Sequence, residues 1–242
     1  MYKSKYSNFL TVLLIIIIIA VIGLLGYIGY NVYRNYTIRK AASEYVESFV
    51  GETDRDEENT KISGGNVVGN DGENKEENKV ENVDVSKVDV DSGESGTQTT
   101  TPAKKKTQYK GFDSIGTIQI PAINVNYPVL SKTTKKSLET SVALLYPDNV
   151  DLNQEGNVVI VGHNYRNGTF FSNNKKLKIG DKINITDAYG KKITYIIYNI
   201  FEANQSDTSF YNRDTNGKRE VTLSTCTDAS NDMRLIVEAK EQ

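Results

Sequence analysis

The stretch EVTLSTC, residues 220–226, alternates apolar or β-branched side chains with polar ones and ends on a cysteine. A period of two indicates a strand, in which Val221 and Leu223 share one face. Because these two apolar side chains face the core, Cys226 is expected on the opposite face, together with Ser224. A cysteine that points away from the core is unusual for a residue used only in packing.

A second strand, RLIVEAK at residues 234–240, follows a turn-forming cluster of Asp, Ser and Asn at 228–232. The two strands predict a β-hairpin. The alternation in the second strand places Arg234 on the same side of the sheet as Cys226, so its guanidinium is expected near the sulfur.

The chain has a single histidine, His163, directly after the apolar run NVVIVG at residues 157–162. A continuous apolar run bounded by glycines is typical of a central strand that is buried on both faces. His163 therefore emerges at a strand end, beside the loop that begins at Asn164. Such a position suits chemistry, because a rigid scaffold aims the side chain and solvent can reach it.

One cysteine, one histidine and one arginine at three strand ends are the groups that acyl transfer needs. A thiolate attacks acyl carbons, an imidazole carries the proton, and a guanidinium stabilises the oxyanion. A lone cysteine or histidine is more often structural, and the strand-end positions of Cys226 and His163 shift the balance toward catalysis. A free thiol has a pKa of about 8.5, so a neighbouring cation is needed to raise the thiolate fraction at neutral pH.

At these positions the chain resembles the sortases, a family of cysteine transpeptidases. The resemblance rests on TLSTC with Arg234 opening the next strand and on the Gly-His pair at 162–163. GTIQIP at 116–121 and YPV at 127–129 add to it, and it covers roughly residues 112–240. It implies that Cys226 is the nucleophile, His163 the acid and base, and Arg234 the clamp for oxyanion and substrate.

The resemblance also implies a reaction and its partners. The enzyme would cleave a sorting signal similar to LPXTG or NPXTG, and would join the protein through a thioacyl-enzyme to a cell-wall amine. Partners would be surface proteins with a carboxyl-terminal sorting signal and the cell-wall precursor amine. The site strings look most like class B sortases, whereas the compact layout resembles class A or D. The residues expected to contact substrate are Thr225, Ser224, Asn164, Ser209 and Phe210.

The amino end predicts a membrane anchor. Residues 9–30 form an uncharged, largely apolar stretch of 22 residues, which as a helix is long enough to cross a bilayer core of about 30 Å. Residues 1–8 would be cytoplasmic and residues 31–50 a juxtamembrane helix, although the flanking charges do not fix the orientation. The sortase resemblance places the protein in the cell membrane, as a single-pass protein with its catalytic domain outside.

Residues 51–107 predict an acidic disordered linker, since residues 51–100 hold 14 acidic and 5 basic side chains and no aromatic. A flexible tether of this length would reach about 40 Å on average and lift the domain off the membrane. Residues 108–242 then form one domain. It is predicted to be mainly β, an eight-stranded closed sortase-like barrel with short helices. The eight strands are predicted near 116–120, 125–130, 143–146, 157–161, 182–186, 192–200, 220–226 and 235–240.

No cofactor and no metal site are expected, because one histidine and one cysteine leave only scattered carboxylates. Nucleic acid is not an expected partner, since the basic excess of the domain is small. Three functions stay open. The first is the transpeptidase. The second is a cysteine peptidase or hydrolase of the same fold, or an L,D-type transpeptidase, whose usual SHGC string is absent. The third is a non-catalytic membrane-anchored binding barrel.

Overall fold

The computed structural model describes residues 5–62, 104 and 107–242, with side chains for residues 9–51, 104 and 107–242. In this part of the chain a long helix precedes nine strands and one short helix. The helices are α1 (Lys5–Ile62) and α2 (Lys135–Thr140). The strands are β1 (Thr107–Tyr109), β2 (Phe112–Ile120), β3 (Val125–Leu130), β4 (Val142–Tyr146), β5 (Gly156–Val161), β6 (Lys182–Asp187), β7 (Lys192–Asn204), β8 (Arg219–Cys226) and β9 (Met233–Glu241).

Strands β2 to β9 form a closed barrel in the order β2-β3-β4-β5-β8-β9-β7-β6, and β6 pairs back onto β2. The pairs β3–β4 and β5–β8 are parallel, and the other pairs in the barrel are antiparallel. The predicted mainly β, eight-stranded closed barrel is confirmed. Strand β1, which the sequence pattern did not predict, adds to β2 outside the ring.

The barrel closes at Gly116, where β2 pairs with β3 on one side and with β6 on the other. Its φ of +150° belongs to the region that favours glycine. A Cβ at this position would lie 2.3 Å from the backbone oxygen of Thr186. The close approach of two backbones at the seam therefore requires glycine.

The barrel interior is filled by the apolar side chains that the period-two pattern directs inward. Val221 and Leu223 of β8 belong to this core, as expected, and both are fully buried. The largest fully buried side chains are Tyr127, Tyr195, Phe170, Phe171, Ile118, Ile120, Leu130, Leu152, Ile160, Ile183, Ile185 and Ile197.

Helix α1 has two parts with different surroundings. Its large apolar side chains between Phe9 and Tyr36 are exposed, and among the described residues it is the one helix long and apolar enough to cross a membrane. Further along, Ala42, Val46 and Phe49 are buried, because this face of α1 packs against β3. These buried side chains form the contact between α1 and the barrel.

Two of the predicted boundaries differ from the structure or lie beyond it. The helix predicted for residues 31–50 continues to Ile62. The linker predicted for residues 51–107 falls mostly on residues 63–103, which lie outside the described residues, as does the start of the segment 1–8. The barrel contacts α1 directly, so residues 51–107 are not its sole connection to the anchor.

Candidate active site

The ends of three neighbouring strands bring the predicted catalytic residues together. Strands β5 and β8 run parallel with Val161 opposite Ser224, and Cys226 is the direct partner of Arg234 in the pairing of β8 with β9. His163 lies two residues after Val161, and Cys226 lies two residues after Ser224. The same register therefore places His163 beside Cys226. Side chains of directly paired residues project from the same face of a sheet, so the three groups share one side.

Two hydrogen bonds extend the contact between β5 and β8 up to the histidine. The amide of Gly162 donates to the carbonyl of Ser224 at 3.3 Å, and the Thr225 hydroxyl donates to the carbonyl of Gly162 at 2.7 Å. Thr225, one of the predicted substrate contacts, is buried, and its hydroxyl is bonded within the protein. These bonds fix the backbone just before His163 and just before Cys226.

The thiol of Cys226 is free and partly exposed at the end of β8. Ser224 and Thr222 lie on the same face, but both are buried, at 5% and 0% exposure. The β7–β8 loop, residues 205–218, covers Thr222, whose hydroxyl accepts a hydrogen bond from Arg213 at 3.0 Å. On this face of β8 the Cys226 end is the partly exposed one.

His163 is partly buried and stacks on Tyr165, with ring centroids 4.7 Å apart and planes inclined by 29°. Burial lowers the pKa of His163 below its ordinary value of 6.5, and the nearby carboxylate of Glu139 opposes this shift by favouring the charged form. The neutral imidazole is therefore the main form near neutral pH. In that form it can accept a proton from a thiol.

The segment after His163, residues 164–170, is called the histidine loop here. Asn164 donates from its side chain to the carbonyl of Cys226 at 2.9 Å and to the carboxylate of Asp228 at 2.8 Å. Arg166 donates to the carbonyl of Asp228 at 2.7 Å, and Lys175 pairs with the Asp228 carboxylate. The histidine loop is thereby joined to the turn that follows Cys226.

Asp228 is the centre of this junction, and sequence reasoning did not single it out. The hydrogen bond from Lys175, and then that from Asn164, hold the pKa of the Asp228 carboxyl below its usual range. The amide of Asn164 is thus bonded within the protein, and its predicted substrate contact stays a prediction. The turn-rich composition at 228–232 indicated a loop but carried no sign of its partners.

Arg234 lies at the other side of Cys226 and is partly exposed. Its guanidinium donates to the carbonyl of Asn231 and to the side-chain oxygen of Gln205, the latter at 3.3 Å. Gln205 also donates through its backbone to Asp232 at 2.7 Å. The guanidinium therefore bridges the β8–β9 turn and the β7–β8 loop, with donors left for an anion.

The β7–β8 loop is held down by a buried ionic network around Arg213. The guanidinium pairs with Glu220 and, at 3.1 Å, with Glu238, and it donates to the carbonyl of Phe210 at 2.9 Å. The Phe210 side chain is buried among Val159, Ala203 and Ile236, whereas Ser209 is exposed. Of these two predicted substrate contacts, Ser209 is the accessible one.

Within residues 9–51, 104 and 107–242, no cluster of three His, Cys, Asp or Glu side chains forms a metal-binding group. The geometry can accommodate a thiol nucleophile, a proton carrier and a fixed cation at one partly open strand end. This is the arrangement that covalent acyl transfer requires.

Comparisons with known proteins find sequence similarity to sortases. Sortase A of Bacillus anthracis is 31% identical over 126 residues, and sortase D of Bacillus subtilis is 31% identical over 135 residues. These matches cover 52% and 54% of this chain, and 58% and 65% of the respective relatives. The chain therefore spans less than two thirds of the length of either relative.

Two solved sortase structures are also similar to the chain. The Clostridium perfringens sortase D5 transpeptidase has 31% sequence identity and a TM-score of 0.48, covering 54% of this chain and 79% of that one. Sortase A of Corynebacterium diphtheriae has 32% identity and a TM-score of 0.49, covering 54% and 61%. The sortase domain model matches residues 118–242, which is more than half of the chain. The chain belongs to the sortase family.

Proposed function

We propose that the protein is a membrane-anchored cysteine transpeptidase that cleaves a sorting signal and transfers the new acyl group to a cell-wall amine. The observation that carries the proposal is the pairing of strand ends, which puts Cys226 between His163 and Arg234 at a partly open edge of the barrel. Family membership supports the reaction class.

In the first half of the reaction, the sulfur of Cys226 attacks the scissile carbonyl carbon while the neutral imidazole of His163 takes the thiol proton. The oxyanion that forms lies toward the guanidinium of Arg234. The imidazolium then donates its proton to the leaving amine, the C–N bond breaks, and a thioester remains on Cys226. No other proton donor is needed.

In the second half, an amine attacks the thioester carbon and the sulfur leaves. His163 accepts the proton of the attacking amine, and the thiol is restored. Because the pKa of His163 lies below 6.5, fewer than about one imidazole in ten carries a proton at pH ~7.5. The imidazolium therefore forms during attack rather than beforehand, and kcat/KM should rise with pH as the resting imidazole loses its proton.

The apolar amino-terminal part of α1 is proposed to hold the enzyme in the cell membrane, with the barrel outside the cell. Orientation can be tested on Cys226, because it is the single cysteine of the chain and is partly exposed. A membrane-impermeant maleimide applied to intact cells should label the wild type and not the Cys226→Ala variant. Labelling only after cell lysis would place the barrel inside.

The proposed activity is tested with the full chain in detergent micelles and peptides of the LPXTG and NPXTG types. Mass spectrometry should detect an acyl-enzyme, and hydroxylamine should be captured as a hydroxamate of the cleaved peptide. The Cys226→Ala variant should form neither product, whereas Lys182→Ala, an exposed change on β6, should behave as wild type.

The outcomes separate the open alternatives. Cleavage without hydroxamate formation would indicate a hydrolase. Cleavage that persists in Cys226→Ala would exclude the thiol mechanism. No thiol-dependent turnover on any peptide would favour a binding barrel. The same peptide comparison, with Ser209→Ala included, tests whether the exposed part of the β7–β8 loop contributes to signal selection.

A further inference from the structure

The ring of His163 is the first member of a row of aromatic side chains. Tyr165 stacks on it, and the ring of Phe170 lies 5.9 Å from that of Tyr165. Phe170 in turn lies 5.3 Å from Tyr127 of β3, whose hydroxyl oxygen accepts a hydrogen bond from the Phe170 amide at 3.1 Å. The row thus connects the imidazole to the strand on which α1 packs.

Helix α1 also contacts the histidine loop directly. The side chain of Asn167 donates to the side-chain oxygen of Asn35 at 3.1 Å. Beside this contact, a cavity of about 370 Å³ lies between α1 and the histidine loop. Tyr165 forms part of the cavity wall. The other lining residues include Arg34 and Ile38 of α1 and Glu139 of α2. The histidine loop therefore lies between α1 and the catalytic edge.

The backbone of the histidine loop needs such support. Arg166 and Phe170 have φ values of 56° and 49°, a left-handed conformation that is costly for residues other than glycine. Residues in such conformations persist only where the surrounding structure holds them. Here the support comes from Asp228 on the active-site side and from α1 on the other side.

We propose that Tyr165 is a positioning residue for the imidazole of His163, and that docking of α1 against the histidine loop holds Tyr165 in its stacked place. The proposal rests on the proposed function for its kinetic consequence only. The stacked ring limits rotation of the imidazole and keeps one of its nitrogens directed toward Cys226. An exposed tyrosine, at 45%, has this effect only while the loop behind it is fixed.

The test uses the fact that the chain has one histidine. Full-length protein in micelles, purified through a tag without histidine and labelled with ¹³C-histidine, gives a single imidazole resonance. Its chemical shift reports the ring current of Tyr165, and its pH titration reports the pKa of His163. The carboxylate of Glu139 on α2 acts on the charge of the imidazole, and it stays unchanged in every variant.

Tyr165→Ala should remove the ring-current shift and raise the pKa of His163 toward 6.5, since water reaches the exposed ring face. An aromatic pair stabilises its geometry by a factor of about 2 to 13, so kcat/KM should fall by that factor, mainly through kcat. Tyr165→Phe keeps the ring and should resemble the wild type in all three measurements.

Two variants of α1 test the remote part of the proposal. Ala42→Glu places a charge in the buried contact with β3, and Asn35→Ala removes the bond to the histidine loop while leaving that contact intact. Both should change the His163 resonance in the direction of Tyr165→Ala, Asn35→Ala less so. Ser48→Glu, on the exposed side of the same helix, is the matched control and should change nothing.

An unaltered resonance, titration and kcat/KM in Tyr165→Ala would overturn the positioning role. Unaltered spectra in both α1 variants would overturn the role of docking. If the wild type turns over no peptide, the proposed function fails, but the resonance and its titration still decide whether Tyr165 positions His163.

Discussion

Replacing Arg213 with methionine should destabilise the barrel and release the β7–β8 loop. Methionine keeps much of the apolar length of arginine but removes the charge. The guanidinium, at 20% side-chain exposure, lies between Glu220 at 11% and Glu238 at 8%. Its loss leaves two carboxylates of like charge close together in a largely dry site.

Breaking a buried ion pair by removing one partner costs about 3–5 kcal/mol, because the remaining charge is uncompensated. Glu220 keeps a hydrogen bond from Tyr198 at 2.9 Å, and Glu238 keeps one from Asn199 at 3.0 Å. Because these bonds still stabilise the two carboxylates, the expected loss of unfolding free energy lies near the lower end of this range, at about 3 kcal/mol. For a domain of this size the melting temperature should fall by about 10–12 °C.

Thermal unfolding of the full chain in micelles measures this effect, with Lys182→Met on the exposed face of β6 as the matched control. Adding Glu220→Gln and Glu238→Gln should restore part of the loss. Chymotrypsin should cut the variant near Phe210, which is buried in the wild type.

A melting temperature within about 3 °C of the control would refute this reasoning. It would mean that the β7–β8 loop is held by its apolar side chains alone. Equal losses in the single and the triple variant would refute the part of the argument that depends on like-charge repulsion.

Three further predictions concern the catalytic edge. Because burial lowers the pKa of His163, the acid limb of kcat/KM should lie below pH ~6.5. Glu139→Gln should move it lower still, since the carboxylate favours the imidazolium; a shift to higher pH would contradict this. Gly162→Ala should destabilise by about 1–3 kcal/mol in denaturant unfolding, because its Cβ would lie 2.8–2.9 Å from two core side chains. An unchanged midpoint would contradict the close packing. Asn164→Ala should cost about 1 kcal/mol by the same measurement, because the carbonyl of Cys226 loses a donor; an unchanged stability would show that water replaces the amide.

The barrel strands, and the approach of Cys226 and Arg234, could be predicted from the sequence pattern. Each barrel strand either alternates apolar and polar side chains or is continuously apolar. In the strand that ends at Cys226 and in the strand that begins at Arg234, the alternation separates the core-facing side chains from those on the other face. The parallel register that brings His163 alongside is a property of topology, which a local pattern does not contain. It followed from the family resemblance.

The contacts that hold the site were not predictable in the same way. Arg213, Glu220 and Glu238 are charged residues on a loop and two strands, and their types predict exposure unless a partner is known. Asp228 appeared as an ordinary turn residue. Residues 31–50 were predicted as a helix, but nothing in their sequence identified β3 as its partner.

On the proposed membrane anchoring, the unbroken helix α1 would set the distance between the membrane and the active site. From Tyr30, at the end of the apolar segment, to Ala42, which is buried against the barrel, the helix rises about 18 Å. With residues 9–30 in the bilayer, the reactive sulfur would be kept in a thin layer just above the lipid, facing one fixed direction. Substrates must then pass through that layer, and lengthening or shortening residues 63–103 should leave the layer unchanged.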